Sequence, residues 1–184
     1  MAIMKKRPPV AQLGQPVLRQ VAKPIAPERI ASAEFQRFID YMFGVLKAEG
    51  GVGLAAPQVY VGDRIFLAAV DPGPKGKLEP EVFINPQITP LADDQESRWE
   101  GCLSFLELQV LVPRWKKVRI EFLDREGKPR ALELENFPAR VVQHEYDHLD
   151  GVLTLDRAAS TRDIIKASEL DGVMDATGTK SAAD

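Results

Sequence analysis

The sequence predicts an α+β fold, with a helix towards each end of the chain, strands between them and a further helix around two closely spaced histidines. Apolar residues recur at helical spacing across residues 33–48, and a Gly-Gly pair follows that segment. Residues 117–123 and 130–135 alternate apolar and polar side chains and are joined by a turn, which predicts a hairpin. Strands grouped in series, with the helices outside that series, are typical of α+β folds.

Local composition predicts the remaining elements. The proline-rich segment 1–31 predicts an extended arm with short turns, and residues 71–76, rich in proline and glycine, predict a connection between strands. We expect Asn85-Pro86 to break the strand that contains it, and residues from about 174–184 to form a flexible tail. Further strands are predicted at 64–70, 81–91, 110–112 and 152–155, and a helix capped by Ser160 is predicted to run through Leu170.

Length, charge and cysteine content limit the classes of protein. One domain spanning residues 1–184 is expected, because this length is sufficient to bury a substantial core. A net charge of −3 with mixed signs argues against nonspecific binding to nucleic acid or membrane surfaces. Cys102 is the single cysteine, which favours a reducing compartment. Because no secretory signal or membrane-span pattern is present, we expect a cytoplasmic protein.

The segment 143–151 carries the strongest chemical signal. His144 and His148, the two histidines of the chain, are four residues apart and therefore lie on one face of a helix. Glu145 is adjacent to the first histidine, so its carboxylate could act on a metal-bound water instead of binding the metal. Apolar residues also occur on both sides of this helix. The pattern predicts a buried central helix with a metal site.

Two other segments are open to alternatives. Cys102 could be an inert small hydrophobic residue, but two imidazoles and a thiolate with one open position are a recognised catalytic site, which makes Cys102 the candidate third ligand. The glycine-rich segment 51–58 suggests a close approach of the backbone to another group. A phosphate-binding loop is disfavoured because no Gly-Lys-Ser/Thr ending follows, whereas a tight turn into a strand remains an equal alternative.

Together, residues 51–58, 100–104 and 143–151 resemble the three signature motifs of the peptide deformylase family, in the family's order and at its approximate spacing. Residues 16–24 look like the family's N-terminal arm, so the resemblance extends to about residue 155. It implies an α+β fold in which antiparallel sheets surround the helix that carries the His-Glu-x-x-His motif. It also implies a hydrolase that removes the N-formyl group from the initiating N-formylmethionine of nascent polypeptides and releases formate.

The resemblance implies roles for the residues that match its motifs. Cys102, His144 and His148 would hold one divalent metal, Fe2+ in the family, with Zn2+, Ni2+ or Co2+ as substitutes. Glu145 would be the general base and acid for a metal-bound water that acts as the nucleophile.

The same resemblance implies how the substrate is held. The side-chain amide of Gln58 and the backbone N–H of Leu103 would stabilise the oxyanion, and Gly53 and Gly101 would bind the extended peptide. N-formylmethionyl nascent peptides are the expected partners, and the ribosome near its exit tunnel is a further one. Neither sequence-specific nucleic-acid binding nor a membrane association is expected.

The chain departs from the family pattern after Ser104. The family commonly has proline or a small residue at the position of Leu106, and often an arginine at that of Gln109. In the family these positions flank the peptide-binding cleft. We therefore expect a more apolar cleft wall and a weaker attraction for acidic residues after the formylmethionine.

Two rival functions are weaker interpretations of the same motifs. The motif His-Glu-x-x-His alone would also fit a zincin-type endopeptidase. Against this interpretation, the chain has no further histidine, and Cys102 lies in a segment that matches a deformylase motif. A non-catalytic, ribosome-associated or structural metal protein would be expected to have lost Glu145 or Gln58, and both are present.

Overall fold

A computed structural model of the chain describes residues 9–72, 78–178 and 181. These residues form two antiparallel sheets around a central helix, α3. The helices are α1 (Pro27–Ile30), α2 (Ala33–Glu49), α3 (Asn136–Leu149), α4 (Thr154–Arg157) and α5 (Leu170–Thr177). The strands are β1 (Gly53–Ala55), β2 (Ile65–Pro72), β3 (Leu78–Pro90), β4 (Gln95–Glu100), β5 (Leu108–Trp115), β6 (Lys117–Leu123), β7 (Pro129–Glu135) and β8 (Ile164–Lys166).

The sheets divide the strands into sets of five and three. The larger sheet has the order β1-β2-β3-β6-β7 and the smaller one β4-β5-β8, and every pair of neighbours is antiparallel. β1 and β4 are therefore edge strands of their sheets. This architecture confirms the predicted α+β class, including the hairpin of β6 and β7. The predicted turn at 71–76 lies mostly outside the described residues, which resume at Leu78.

Helix α2 has the boundaries that its sequence predicts. The side chain of Ser32 accepts a hydrogen bond from the backbone N–H of Phe35 at the N-terminus, and Gly50 takes the left-handed conformation that ends the helix. Its apolar stripe packs into the core with β2 and β3. The buried side chains of the stripe are Phe35, Ile39, Met42, Val45 and Leu46.

Helix α3 is buried on two sides, as its sequence predicts. Ala139, Val142 and Leu149 pack in a cluster that contains stacked phenylalanines of the larger sheet. The histidines project on another face, towards Cys102. A helix enclosed in this way must satisfy its polar side chains within the protein, since few of them reach water. No helix in the described ranges is both long and apolar enough to span a bilayer.

Asn85 lies in a bulge of β3, so the predicted break at Asn85-Pro86 is wrong. The register with β6 shifts between Ile84 and Gln87, and Asn85 has a φ of 49°, but the strand continues to Pro90. The side chain of Asn85 accepts a hydrogen bond from Ile25 N and donates one to Ile25 O, both at 2.8 Å. The bulge thereby attaches the N-terminal arm to the larger sheet.

Two predicted elements after α3 are also wrong. The predicted strand 152–155 is a turn that enters α4, because Asp156 accepts a hydrogen bond from Leu153 N and stabilises a helical turn. Ser160 does cap a turn, but only the 3₁₀ segment Thr161–Asp163, after which the chain pairs with β5 as β8. β4 had not been predicted.

The helix near the C-terminus extends into the segment that was expected to be a flexible tail. Helix α5 continues to Thr177, so the first residues of the expected tail at 174–184 belong to a helix. Residues 179–180 and 182–184 of that segment lie outside the described residues. The single-domain assignment for residues 1–184 stays a prediction.

Gly151 provides a test of how α3 is attached to the N-terminal arm. Its φ is +72°, and a Cβ atom there would lie 2.8 Å from the backbone carbon of Arg19. We expect Gly151→Ala to lower the free energy of unfolding by more than the roughly 1–2 kcal/mol of left-handed strain. Gly50→Ala is the matched control, because Gly50 has a φ of +69° and no atom within 4 Å of its Cβ position. Equal decreases in the free energy of unfolding for Gly151→Ala and Gly50→Ala, measured by urea denaturation, would show that the contact with Arg19 is unimportant.

Candidate metal centre and active site

Cys102, His144 and His148 come together at one point of the structure. Cys102 follows the end of β4, and both histidines lie on α3. Their candidate ligand atoms all lie within 4.8 Å of one another, and Cys102 Sγ is 3.3 Å from His148 Nε2. The thiol and His148 are buried. The structure therefore brings together the three residues that the sequence singled out as metal ligands.

The two imidazoles have different surroundings. His144 Nδ1 lies 3.0 Å from Glu100 Oε2, which orients the ring and directs Nε2 towards Cys102. Burial opposes protonation of His144, but hydrogen bonds with Cys102 and Glu100 raise the pKa of its imidazole well above the usual value. A cation bound here would replace that proton. Burial, together with the charges of His144 and Arg114, lowers the pKa of His148 and favours the neutral form that a ligand requires.

Glu100 is held by two buried arginines as well as by His144. Arg114 donates to both carboxylate oxygens, at 3.1 and 3.0 Å, and Arg140 Nη1 donates to Oε1 at 2.7 Å. Burial opposes ionisation of Glu100, but the charge of Arg114 and the hydrogen bonds from His144 and Arg114 hold the pKa of the carboxyl well below its usual range. Glu100 is therefore ionised wherever the protein is folded near neutral pH.

The same arginine joins Glu100 to the next turn of α3. Arg114 Nη1 donates to Asp147 Oδ2 at 2.5 Å, and the half-exposed Arg157 donates to both oxygens of Asp147. We call this set Glu100, Arg114, Arg140, Asp147 and Arg157 the ion-pair network. Each buried charge in it faces an opposite charge, which is the condition for burying charged groups at a tolerable cost.

Glu145 is buried with one free oxygen. Its side chain lies against Gly53 of β1, and a Cβ at that position would overlap Glu145 Oε1, so only glycine fits there. Glu145 Oε2 has no hydrogen-bond partner among the described residues. Burial raises the pKa of the Glu145 carboxyl to about 7. A carboxyl group with such a pKa and an unpaired oxygen is suited to exchange protons with a group bound beside it.

Gln58 is fixed at both ends of its amide. Its Oε1 accepts a hydrogen bond from Ala55 N at 2.9 Å, which assigns Nε2 as the end that faces the thiol. Nε2 donates to Ser104 Oγ at 3.2 Å and lies 3.6 Å from Cys102 Sγ. The amide donor is therefore preorganised beside the three ligand atoms. Leu103, the next residue after Cys102, lines the same cleft.

The site opens into a cleft of about 340 Å³ between the edges of the two sheets. Gly53 of β1 and Gly101, which follows β4, face this cleft, as do Gln58, Leu103 and Glu145. Val52 and Leu106 lie at its mouth with exposed fractions of 46% and 61%. β1 pairs only with β2 among the described residues, whereas Trp99 of β4 forms a parallel bridge with Ser181, which also lines the cleft. A strand edge that borders a cleft, as β1 does, suits the binding of an extended peptide.

Leu106 and Gln109, which depart from the family pattern, both line the cleft. The amide of Gln109 covers Gly101, since a Cβ on Gly101 would lie 2.9 Å from Gln109 Nε2. Their position agrees with the expectation from the sequence, whereas their effect on peptide preference stays a prediction.

Sequence reasoning missed the residues that support the ligands. Glu100 lies in a signature motif, but the motif alone assigns it no role, and no pattern in the sequence distinguishes Arg114. One signal was available, because Arg140 lies four residues before His144 and therefore on the histidine face of α3. A cation on a buried helical face requires a partner within the protein.

The donor set fits a bound divalent cation. A thiolate and two neutral imidazoles are ligands for zinc and for first-row transition metals, and an adjacent carboxylate that is not needed as a ligand is typical of catalytic sites. Glu145 Oε2 is buried and has no partner among the described residues, as expected where a further group completes the site.

Three candidate metal ligands and a buried carboxylate beside an open cleft are typical of metal-dependent hydrolases. The sequence model of the polypeptide deformylase family matches residues 8–163. The chain therefore belongs to the polypeptide deformylase family, whose members are metalloenzymes that remove the N-formyl group from nascent peptides. This membership confirms the resemblance and the hydrolase class that it implied.

Individual relatives agree over most of the chain. Peptide deformylase 2 of a Nostoc species is 40% identical over 165 residues, which cover 88% of this chain and 91% of the relative. The crystal structure of a peptide deformylase from Thermotoga maritima matches with a TM-score of 0.74 and 38% sequence identity. The match covers 82% of this chain and 97% of the Thermotoga maritima chain. A peptide deformylase from Synechococcus elongatus in complex with actinonin has a TM-score of 0.74 and 34% identity, and covers 97% of this chain and 92% of its own.

We predict that His144→Ala will abolish stoichiometric metal binding, because no other histidine or cysteine is available to replace the lost ligand. Tyr146→Phe is the control, since Tyr146 is on the same helix but its hydroxyl contacts Gln87, outside the cleft. Metal content per chain would be measured by inductively coupled plasma mass spectrometry after gel filtration. Full occupancy in His144→Ala would refute the assignment of this ligand.

Proposed function

We propose that Cys102, His144 and His148 hold one divalent cation, Fe2+ in the cell, with Zn2+, Ni2+ or Co2+ able to replace it. The convergence of these three ligand residues beside a buried carboxylate with an unpaired oxygen carries the proposal. When bound, the cation supplies a Lewis acid that polarises the formyl oxygen and makes a water acidic enough to attack near neutral pH. Proton transfer and stabilisation of the oxyanion are proposed to depend on residues of the protein itself.

Glu145 is proposed as the general base and acid. Its free Oε2 accepts a proton from the attacking water and returns it to the amine that leaves as the C–N bond breaks. Burial raises the pKa of this carboxyl to about 7, which suits both directions of transfer. The products are formate and a peptide with a free N-terminal amine.

Gln58 and Leu103 are proposed to stabilise the oxyanion of the tetrahedral intermediate. Gln58 Nε2 is held beside Cys102 by contacts at both ends of the amide, so the donor does not have to reorganise during the reaction. The backbone N–H of Leu103, directly after the ligand Cys102, would be the second donor. Losing one such donor typically costs about 3 kcal/mol of transition-state stabilisation.

The substrate is proposed to be an N-formylmethionyl nascent peptide that adds to the edge of β1 at Gly53 and contacts Gly101, the residue directly after β4. Both positions line the cleft, Gly53 in β1 of the larger sheet and Gly101 directly after β4 of the smaller one. Only glycine at position 53 leaves room for the side chain of Glu145. The proposed base therefore lies directly against the strand edge that would bind the peptide. Such a substrate would place the enzyme in the cytoplasm and near the ribosomal exit tunnel.

Glu145→Gln should keep the metal and the fold but lose turnover by about a hundred- to ten-thousandfold, because the change removes proton transfer and leaves the three ligands intact. Formate release from formyl-Met-Ala-Ser and metal content would be measured on the same preparation. Glu107→Gln is the control, since Glu107 is exposed and does not line the cleft. A Glu145→Gln protein without metal would mean that this carboxylate is a ligand and not the base.

A further inference from the structure

Ser181, which follows helix α5 near the C-terminal end of the chain, lies in the wall of the catalytic cleft. It lines the same space as Gly53, Gly101 and Cys102, and it is partly buried there. No step of the proposed reaction uses it. A residue from the C-terminal segment therefore occupies part of the space that is assigned to the substrate.

Ser181 is joined to the outer edge of β4. It forms a parallel bridge with Trp99, and its carbonyl oxygen accepts a hydrogen bond from Arg98 Nη1 at 3.4 Å, across 83 residues of chain. The rest of the Arg98 guanidinium is held by Glu96, which accepts hydrogen bonds from Nε at 2.9 Å and from Nη2 at 3.3 Å. At Trp99, β4 therefore has β5 on one side and Ser181 on the other.

The bridge lies on the part of β4 that leads to the candidate metal ligands. Trp99 is two residues before Gly101 and three before Cys102. A strand rises about 3.3 Å per residue, so the bridge is roughly 7 Å along the chain from Gly101. Each backbone group of a strand edge pairs with one partner at a time. A peptide that extends along β4 from Gly101 towards Trp99 therefore meets Ser181.

The contact is weak enough for a peptide to displace it. The hydrogen bond from Arg98 is long, and the bridge is isolated among the described residues. Ser181 belongs to the same chain as β4, however, and a tethered group has an effective concentration on the order of millimolar when its linker is short. Such a group competes measurably with a more dilute peptide without closing the cleft permanently.

Given the function proposed above, we propose that the contact of Ser181 with β4 is autoinhibitory and competes with the peptide substrate for the edge of that strand. While Ser181 pairs with Trp99, this part of the edge is closed to the peptide. When Ser181 leaves, a peptide can extend along β4 from Gly101 to Trp99. The competition weakens substrate binding and leaves the chemical step unchanged.

The expected kinetic effect is a change in KM without a change in kcat. Trp99 and Arg98 have no assigned role in metal binding, proton transfer or oxyanion stabilisation, so releasing Ser181 from them alters binding alone. Three extended residues span about 10 Å, so formyl-Met-Ala-Ser is long enough to reach Trp99 from the metal ligands. Removing the contact should lower the KM of this substrate by about two- to tenfold, as expected for one displaced hydrogen bond.

Two variants remove the contact in different ways. Deletion of residues 179–184 removes Ser181 and leaves α5 with its cap at Gly178. Ser181→Pro keeps the full length but lacks the backbone N–H, and proline is poorly tolerated in strand pairing. Ser181→Ala is the matched control, because the bridge and the accepting carbonyl belong to the backbone. Formate release from formyl-Met-Ala-Ser gives kcat and KM for each metal-loaded protein.

A lower KM with the parent kcat is expected for the deletion and for Ser181→Pro, and parent values are expected for Ser181→Ala. If the deleted protein does not fold, Ser181→Pro decides. A parent KM in every variant that folds would overturn the proposal, as would a lower kcat without a lower KM. A KM of the parent protein that rises with protein concentration would assign the contact to a second copy and overturn its intramolecular form.

Calorimetric binding of the product peptide Met-Ala-Ser to the same metal-loaded proteins separates this proposal from the proposed function. The deletion and Ser181→Pro should bind the peptide more tightly than the parent protein by a factor similar to the change in KM. Tighter binding without formate release from any of the proteins would overturn the proposed catalytic roles and leave the autoinhibitory contact intact. Formate release with equal affinities in all of the proteins would overturn the autoinhibitory contact alone.

Discussion

The hydrogen bond between His144 and Glu100 joins the candidate metal centre to the fold. Glu100 is almost fully buried, and its carboxylate also accepts hydrogen bonds from Arg114 and Arg140. Removing one partner from a buried ion pair costs about 3–5 kcal/mol, because the remaining charge is left uncompensated. The orientation of His144 therefore depends on arginines from β5 and α3, and Arg114 extends this dependence to Asp147, about one turn further along the helix. A helix that is enclosed by two sheets can present polar ligands only because such partners are supplied within the protein.

A second constraint fixes the base relative to the peptide edge. Glu145 lies so close to Gly53 that no side chain fits between them. The strand edge assigned to the substrate and the carboxylate assigned to proton transfer are therefore in direct contact. Gln58 belongs to the 3₁₀ segment Ala56–Val59 that directly follows the same strand, so β1 positions the amide donor as well. One short strand thus sets the distances between the donor, the base and the bound peptide.

The parts of the site that are local in the sequence could be predicted from it. His144 and His148 share a helical face, and Cys102 is the single cysteine, so spacing and composition made all three candidate ligands, and the family resemblance implied the full set. The supporting contacts could not be predicted, because Glu100 meets Arg140 and His144 across 40 and 44 residues of chain. The polar strand β4 lacks an apolar alternation over most of its length, and it forms because β5 pairs with it. After Ser160 the local signal for a helix is overridden by pairing of Ile164–Lys166 with β5.

X-ray absorption spectroscopy of the zinc-loaded protein tests the assignment of the three ligands, because it counts the atoms bound to the metal without relying on activity. We expect one sulfur at about 2.3 Å and two imidazole nitrogens at about 2.0–2.1 Å, with the fourth position taken by a light atom that belongs to no side chain. The same spectrum should be obtained from Glu145→Gln. A shell without sulfur, or one that changes when Glu145 is replaced, would contradict the assignment of Cys102, His144 and His148 as the three protein ligands.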